Sequence, residues 1–346
     1  MAIVVGRPAP DLDGVAMAAA RRRWACRAKP PGALGVLEDL AVHLAGIAGR
    51  CPPPVPRRPV VAVFAADHGV VADGASAWPS AITGAMVATI AGGGAAINAL
   101  AGAVGAEVIV VDVGVAGERD TAGVVVDRRI RSGTGNIARE PAMTVDEVAA
   151  AVDVGRSVAD DLIDGGADCL VGGEMGIGNT TPAAALVAAC TGRSAASVTG
   201  HGAGIPAGGL DHKRRLVDAA VRRAAGIDDP IDLLAAIGGL EIAALAGFYA
   251  AAAHRCVPFV IDGLIAGAAL CVADRLAPGT ARRAIAGHRS SEPAASVALE
   301  HLGLRPLLDL ELRLGEGTGA TLAVPLVAAA ARALATMADL PGGEPC

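Results

Sequence analysis

The middle of the chain alternates between short apolar runs and longer alanine-rich segments. The apolar runs occupy residues 60–64, 107–111, 168–171 and 258–261, and they are rich in valine and isoleucine. Such runs are typical of strands that are buried on both faces of a parallel sheet. Alanine-rich helical stretches lie between these runs, which is the pattern of repeated strand–helix–strand units. We therefore predict an α/β fold built on a parallel sheet.

The two ends of the chain have a helical pattern instead. In residues 34–47 apolar side chains recur every three or four positions, and the pattern is helical again after about Pro306. The proline-rich stretch 51–59 is a stiff linker and a natural boundary. We expect residues 1–57 and 306–346 to form a small helical domain from both chain ends. Residues 58–305 are then the parallel α/β domain.

Each predicted strand leads into an acidic residue, a glycine or both. The acidic residues at these ends are Asp67, Asp112, Glu174 and Asp262. In open parallel sheets, ligands bind in a crevice outside the carboxyl ends of the strands. We therefore expect the four carboxylates to share one rim of the sheet.

Three glycine-rich loops are candidates for binding a ligand. Residues 172–182 lead from the third strand into a helix that Thr180 or Thr181 can cap. Free backbone N–H groups at such a helix start form an anion site. Two further loops span residues 199–204 and 287–293, and Lys213 near the start of a helix can offer a charge to a phosphate. None of these loops is a Walker loop or a dinucleotide fingerprint.

Residues 133–138 do match the glycine pattern of a dinucleotide site. They follow a basic stretch and no buried strand, so a nicotinamide cofactor and a dehydrogenase are disfavoured. The seven cysteines are scattered, with no CxxC and no cysteine–histidine cluster. This spacing predicts no metal site, no cofactor and reduced, buried thiols in a cytoplasmic protein.

The amino-acid composition argues against two classes of binding partner, membranes and nucleic acids. The hydrophobic content is 53%, yet the longest apolar runs are shorter than a membrane-spanning helix requires. The net charge is −6 and aromatic residues make up 2% of the chain, so base-stacking surfaces are scarce. We expect no nucleic acid partner and no membrane span.

One carboxylate stands out near the C-terminus. Residues 312–320 place Glu316 between Gly315 and Gly317, after an apolar and charged segment. Glycine on both sides leaves room for a flat ligand to approach. The pattern alone permits two interpretations of Glu316, a general base or a cap of the next helix.

Several blocks in order resemble the nicotinate-nucleotide–dimethylbenzimidazole phosphoribosyltransferase family, which acts in the assembly of the cobalamin lower ligand. The matching blocks are residues 29–35, 64–70, 92–98, 139–144, 173–181, 287–293 and 315–320. This resemblance covers nearly the whole chain. It implies a Rossmann-like parallel α/β domain, a small helical domain from both termini, and a homodimer.

The resemblance also implies a reaction. The family moves the phosphoribosyl group of nicotinate mononucleotide to a ring nitrogen of 5,6-dimethylbenzimidazole, which gives α-ribazole 5′-phosphate and nicotinate. The β-riboside becomes an α-riboside, so a single displacement suffices without an enzyme nucleophile. The acceptor must lose its other N–H proton, and the resemblance makes Glu316 the base.

The remaining site residues also rest on the resemblance. Ser80 and Met86 belong to the segment of the acceptor pocket, where Ala85 replaces a glutamine common in the family. Another acceptor base, or a non-catalytic nucleotide-binding homologue, therefore remains an alternative. The expected contacts of the nucleotide are Glu174, Gly176, Gly178, Asn179, Gly202, Gly204, Lys213 and Ser291.

Overall fold

The computed structural model describes residues 6–117 and 125–341. Within these ranges, six strands form one sheet in the order β3-β2-β1-β4-β5-β6, and every neighbouring pair is parallel. The α/β fold with a parallel sheet is therefore confirmed. The strands are β1 (Pro59–Ala66), β2 (Glu107–Gly114), β3 (Val125–Asp127), β4 (Cys169–Met175), β5 (Phe259–Ile261) and β6 (Ala284–Ala286).

The four apolar runs became β1, β2, β4 and β5, while β3 and β6 were not predicted. Both missed strands have three residues and lie at the two edges of the sheet. β6 reads Ala-Ile-Ala, which lacks the β-branched run that marks a strand in a sequence. Pairing with β5 makes it a strand.

Helices cover both faces of this sheet. Successive side chains of β1 point to opposite faces of the sheet. Val61 and Val63 lie in the apolar cluster on one face, and Ala62 and Phe64 lie in the cluster on the other. The helices are α1 (Gly14–Cys26), α2 (Val36–Ala48), α3 (Ala81–Ala91), α4 (Ala96–Val104), α5 (Val145–Asp164), α6 (Thr180–Thr191), α7 (Ala195–Val198), α8 (Ala207–Arg223), α9 (Pro230–Ile237), α10 (Leu240–His254), α11 (Leu264–Leu276), α12 (Pro293–Leu302) and α13 (Thr318–Thr336).

Helices from the two chain ends pack together on one face. Arg27, which ends α1, is buried, donates to the Leu334 carbonyl at 2.9 Å and pairs with Asp339 at 2.7 Å. α13 contacts α2 and also lies against β4 and β5. The terminal helices thus form a layer on the sheet, and the domain boundaries at 57/58 and 305/306 stay a prediction.

In the part of the chain that the structure describes, two segments are long and apolar enough to cross a membrane by length and composition. One is α13, of which 56% of the apolar window is buried in the protein. The other is Ala81–Val104, of which 28% is buried. The second segment consists of α3 and α4 joined by a glycine turn in which Gly93 has a φ of +80°. The expectation of no membrane span therefore stays a prediction.

The expectation of reduced, buried thiols is wrong at several positions. Within the described ranges, Cys51, Cys169, Cys190, Cys256 and Cys271 are free thiols, but Cys26 is disulfide-bonded. Cys256 is exposed on the surface. Sequence spacing could not reveal either feature, because the spacing of cysteines alone fixes neither the pairing nor the exposure of a thiol.

The strand order fixes where a ligand can bind. β1 pairs with β2 on one side and with β4 on the other. The strands after β1 therefore first extend the sheet on the β2 side, and the chain then returns to add β4, β5 and β6 on the opposite side of β1. The loops on either side of this reversal diverge and leave a crevice at the carboxyl ends of the strands. The loop after β4 begins there.

Candidate active site

A cavity of about 450 Å³ opens at the carboxyl ends of β4 and β5. Its size is in the range of pockets that take small organic ligands, roughly 300–1,000 Å³. The indole of Trp78 donates from Nε1 to the Ala203 carbonyl at 3.1 Å, which ties two of the surrounding loops together. The lining residues come from segments 75–86, 174–180, 201–205, 262–265, 288–292 and 313–316, together with Lys213.

The turn around Glu316 is left-handed over three successive residues. The φ angles are +88° at Gly315, +61° at Glu316 and +86° at Gly317. A Cβ atom at Gly315 would collide with the Glu174 carboxylate, and Gly173 packs in the same way against the Glu316 carbonyl. The flanking glycines are therefore required by the backbone and by close packing, in addition to any room they leave for a ligand.

The Glu316 carboxylate is buried, with 3% of the residue exposed. Its Oε2 accepts a hydrogen bond from the Ile97 amide in the first turn of α4 at 3.1 Å. Gly317 precedes α13 without any side-chain cap, so Glu316 does not cap that next helix. Burial raises the pKa of Glu316, the Ile97 N–H opposes this, and the charge of Asp262 adds to it.

Glu174 is a second buried carboxyl group on the cavity wall. It lies near the end of β4 and accepts a hydrogen bond from the amide nitrogen of Asn179. Burial, and then the charges of Glu241 and Asp262, raise the pKa of Glu174 well above its ordinary value. The Asn179 bond opposes this shift without cancelling it.

The opposite part of the cavity has a buried cation. Lys213 is 1% exposed, and its Nζ donates to the Thr180 hydroxyl at 2.7 Å at the start of α6. Burial lowers the pKa of Lys213 to about 8, although the charge of Glu292 works in the other direction. A buried amine beside a helix N-terminus is suited to an anionic group such as a phosphate.

Gly202 holds the loop over this lysine. A Cβ atom there would lie 2.9 Å from the Lys213 Nζ and 2.7 Å from the Thr180 hydroxyl. The Gly202 amide donates to Glu292 Oε1 at 2.8 Å. Glu292 is buried and was missed in the sequence, where it follows two serines without any distinguishing pattern.

The structure brings most of the predicted residues together. Gly202 lies directly against Lys213, while Gly204 and Ser291 line an adjoining groove of about 570 Å³. Ser80 precedes α3 and is not part of the cavity lining, whereas Ser290, the neighbour of Ser291, is. The predicted residues that line the cavity are Met86, Glu174, Gly176, Gly178, Asn179, Lys213 and Glu316.

The four carboxylates at the strand ends do not share one lining. Glu174 and Asp262 face the cavity, as expected. Asp112 instead accepts from the Gly114 and Val115 amides at 2.9 Å, and Asp67 accepts from the Ala116 amide at 2.8 Å. The two side chains stabilise the turn after β2, so they lie at the same carboxyl-end rim of the parallel sheet but outside the cavity lining.

His288 is a cavity residue that the sequence did not single out. It is buried and lies with its Nε2 3.1 Å from Asp262 Oδ1. Its loop was recognised by its glycine and serines, but the partner comes from a different strand. Within residues 6–117 and 125–341, no group of three or more histidine, cysteine and acidic side chains could hold a metal ion.

A glycine loop at a helix start, a buried lysine and buried carboxylates at the end of a parallel sheet are suited to a phosphorylated ligand. A family model described as phosphoribosyltransferase matches residues 9–342, so the chain belongs to this phosphoribosyltransferase family. The family resemblance seen in the sequence blocks is thereby confirmed.

Individual relatives carry a more specific name, nicotinate-nucleotide–dimethylbenzimidazole phosphoribosyltransferase. The chain is 50% identical over 338 residues to the one from Salinispora tropica, covering 93% of each chain. It is 50% identical over 332 residues to the one from Mycobacterium marinum, covering 96% of this chain and 92% of the relative. The crystal structure of the Thermus thermophilus enzyme matches with a TM-score of 0.91 at 46% identity, covering 95% of this chain and 97% of that one.

Proposed function

We propose that this chain transfers the 5-phosphoribosyl group of nicotinate mononucleotide to 5,6-dimethylbenzimidazole. The products are α-ribazole 5′-phosphate and nicotinate. The name shared by relatives at 50% identity supports this reaction. The observation that carries it is one cavity with a buried carboxylate of raised pKa, Glu316, and a buried amine, Lys213, on its wall.

The reaction has one bond to form and one to break at the anomeric carbon. A ring nitrogen of the acceptor attacks this carbon on the face opposite nicotinate, which inverts the β-riboside to an α-riboside. The leaving pyridinium takes the bonding electrons and becomes a neutral ring, so it requires no general acid. The acceptor is left with a positive charge, which it loses by giving its N–H proton to Glu316.

The environment of Glu316 suits a general base. A carboxylate of ordinary pKa is a weak base at neutral pH, and burial corrects this by raising the pKa of Glu316. The carboxylate is held on one side by the Ile97 amide, which fixes its orientation toward the cavity. A base held in position is typically worth about 10²–10⁴-fold in rate.

The other residues position the nucleotide. Lys213 and the N-terminus of α6 bind the 5′-phosphate, and Glu174 with Asn179 faces the ribose and the positive charge that develops on it. Met86 on the cavity wall contacts the acceptor, whereas Ser80 lies outside the cavity lining. Backbone and short side chains of the glycine loops complete the nucleotide site at Gly176, Gly178, Gly202, Gly204 and Ser291.

Two alternatives keep the same site. Ala85 replaces a glutamine common in the family next to the acceptor segment, which favours testing acceptors other than dimethylbenzimidazole. A non-catalytic nucleotide-binding homologue would bind nicotinate mononucleotide without releasing nicotinate. Comparing nicotinate release over a panel of benzimidazoles, purines and phenols separates these alternatives.

The test of the base is a Glu316→Gln variant, which keeps the size of the side chain and removes its charge. We expect nicotinate release to fall about 10²–10⁴-fold with folding unchanged. In the wild type, the rate should fall as the pH drops through the raised pKa of Glu316, at a pH above 4.5. Near wild-type turnover in the variant would refute the base assignment.

We also propose a cytoplasmic homodimer. The segment Ala81–Val104 is apolar, and only 28% of it is buried within the chain. Ala85, Ala88 and Ala99 are exposed small residues on its helices, which permit close approach of a second copy. This surface is adjacent to Met86, so a dimer formed here has a cavity near its interface.

A further inference from the structure

Asp262 and His288 form a buried pair under the turn that carries Glu316. Asp262 follows β5, and His288 follows β6, so neighbouring strands bring them together. The His288 Nε2 lies 3.1 Å from Asp262 Oδ1, and each side chain is 3% exposed. Both residues line the cavity.

The pair supplies what the start of α13 lacks. The first amides of a helix have no partner within the helix, and Gly317 offers no side chain to cap them. Asp262 Oδ1 accepts from the Ala320 amide in the first turn of α13 at 2.9 Å, in place of such a cap. The His288 ring packs so closely on Gly319 that a Cβ atom there would collide with it.

We propose that Asp262, clamped by His288, is a positioning residue for Glu316. It fixes the first turn of α13, which Glu316 immediately precedes, and it places a second negative charge beside the Glu316 carboxylate. The inference rests on the proposed role of Glu316 as the base. It assigns to this pair a function in the reaction, without direct contact to the reacting atoms.

The charges in the site are consistent with this role. The negative charge of Asp262 raises the pKa of Glu316 and of Glu174, in each case in addition to burial. Burial lowers the pKa of His288, but the Asp262 carboxylate 3.1 Å away outweighs this effect, so the pKa is raised. In its protonated form, His288 offsets part of the Asp262 charge.

Other ionisable groups also face this pair. Tyr249 from α10 has a pKa raised by burial and by Asp262, and Asp309 on the segment after α12 acts on His288. Arg289 pairs with Asp309 at 3.4 Å on the surface. Glu241, also from α10, acts on Glu174. These groups are unchanged in the variants below, so their effect is common to all profiles.

An Asp262→Asn variant separates charge from capping, because an asparagine oxygen can still accept from the Ala320 amide. We expect the acid limb of kcat/KM for the acceptor to move to lower pH, by a few tenths to about one pH unit. The acceptor itself titrates in the same way with every variant, so a difference between their pH profiles of kcat/KM arises from the protein. Asp112→Asn removes an equally buried carboxylate that does not line the cavity, and its profile should match the wild type.

A His288→Gln variant should shift the same limb in the opposite direction. Glutamine keeps an N–H donor near Asp262 but has no charge, so the field of Asp262 on Glu316 increases and the limb moves to higher pH. Opposed shifts in the two variants support the proposal. An unshifted limb in folded Asp262→Asn protein, or the same shift in Asp112→Asn, overturns it.

The Glu316→Gln variant keeps this outcome separate from the proposed function. If Glu316→Gln loses activity and Asp262→Asn has a wild-type profile, the base assignment holds and the role of Asp262 fails. If Glu316→Gln retains wild-type activity, the base assignment itself fails, whatever Asp262→Asn does. Circular dichroism of each variant at the assay pH establishes that it is folded.

Discussion

Glu174 and Glu316 are two carboxyl groups buried on the wall of one cavity, and the function of each depends on its protonation state. Both have a pKa above the ordinary value, and the pKa of Glu174 is raised well above it, by burial first and then by the charges of three nearby carboxylates. A neutral Glu174 beside an ionised Glu316 would leave one acid and one base in the cavity. Their environments, more than their residue type, separate the two roles.

Glu174 should reduce the stability of the fold at neutral pH. Its folded-state pKa lies above the unfolded value of 4.5. The stability contributed by the protonated group is therefore complete below pH 4.5 and lost as the pH rises through the folded-state pKa. The side chain of a Glu174→Gln variant cannot ionise, so at pH 8 we expect its free energy of unfolding to exceed that of the wild type by about 0.5–2 kcal/mol. Its unfolding temperature should be higher as well.

The extra stability of the Glu174→Gln variant should decrease as the pH is lowered toward 4.5, and thermal melts at a series of pH values can follow this decrease. Glu107→Gln on the exposed start of β2 is the matched control and should change stability by less than about 0.5 kcal/mol. A gain of equal size at every pH would show that ionisation of Glu174 is not its cause.

Lys213 should control binding of the nucleotide through its charge. Its pKa of about 8 means that it loses its proton as the pH rises above 8. We expect the KM for nicotinate mononucleotide to rise over this range in the wild type. In Lys213→Met the KM should be about 10- to 100-fold higher at pH 7, without a further rise above pH 8.

The matched control for this lysine is Arg215→Met on the same helix, where the side chain is exposed. Its KM should follow the wild-type pH dependence. A Lys213→Met variant with a wild-type KM at pH 7 would place the phosphate elsewhere in the cavity.

At the scale of elements, glycines set how closely helices approach. α5 and α10 pack through Gly155 and Gly247, and a Cβ atom at either position would collide with the backbone of the facing helix. α10 in turn carries Tyr249, whose hydroxyl donates to the Gly172 carbonyl in β4 at 3.4 Å, and Glu241, whose charge raises the pKa of Glu174. The spacing of these two helices is therefore coupled to the environment of Glu174.

A Gly155→Ala substitution should separate α5 from α10. We expect it to destabilise the fold by about 1–3 kcal/mol, because the added methyl group meets backbone atoms that cannot move aside. Gly14→Ala, at the open start of α1 with no atom within 4 Å of the added Cβ, should be neutral or slightly stabilising. Denaturant melts of both variants give the comparison, and similar melts would show that the α5–α10 contact has room to relax.

At the scale of the whole molecule, the exposed apolar surface of α3 and α4 predicts association. We expect light scattering of the purified protein without detergent to give about twice the chain mass of 34.0 kDa. Ala88→Arg on the exposed face of α3 should reduce this mass to that of a single chain, because an unpaired charge would be buried at the interface. Ala225→Arg, exposed after α8, is the control.

A single-chain mass for the wild type would contradict the dimer. Recovery of the protein only with membranes would instead favour insertion of the apolar segment Ala81–Val104 into a bilayer. The two outcomes are distinguished by the fraction in which the protein is found before any detergent is added.

The sequence by itself determined the class of fold and the blocks that identify the family. Four buried strands show as apolar runs, because most side chains of a strand that is covered on both faces are removed from water. Glycine loops that follow strands also show, because their backbone geometry restricts the residue type. Met86, Glu174, Lys213 and Glu316 could be named from these signals and the family resemblance.

Only the tertiary structure decided which of these side chains share a cavity and what state of charge they have. Asp67, Asp112, Glu174 and Asp262 look alike in the sequence, yet two stabilise a turn and two face the ligand site. The pKa of Glu316 depends on burial and on the charge of Asp262, and His288 from the loop after β6 lies 3.1 Å from Asp262. Such effects depend on distances between segments that are far apart in the chain, and these distances exist only after folding.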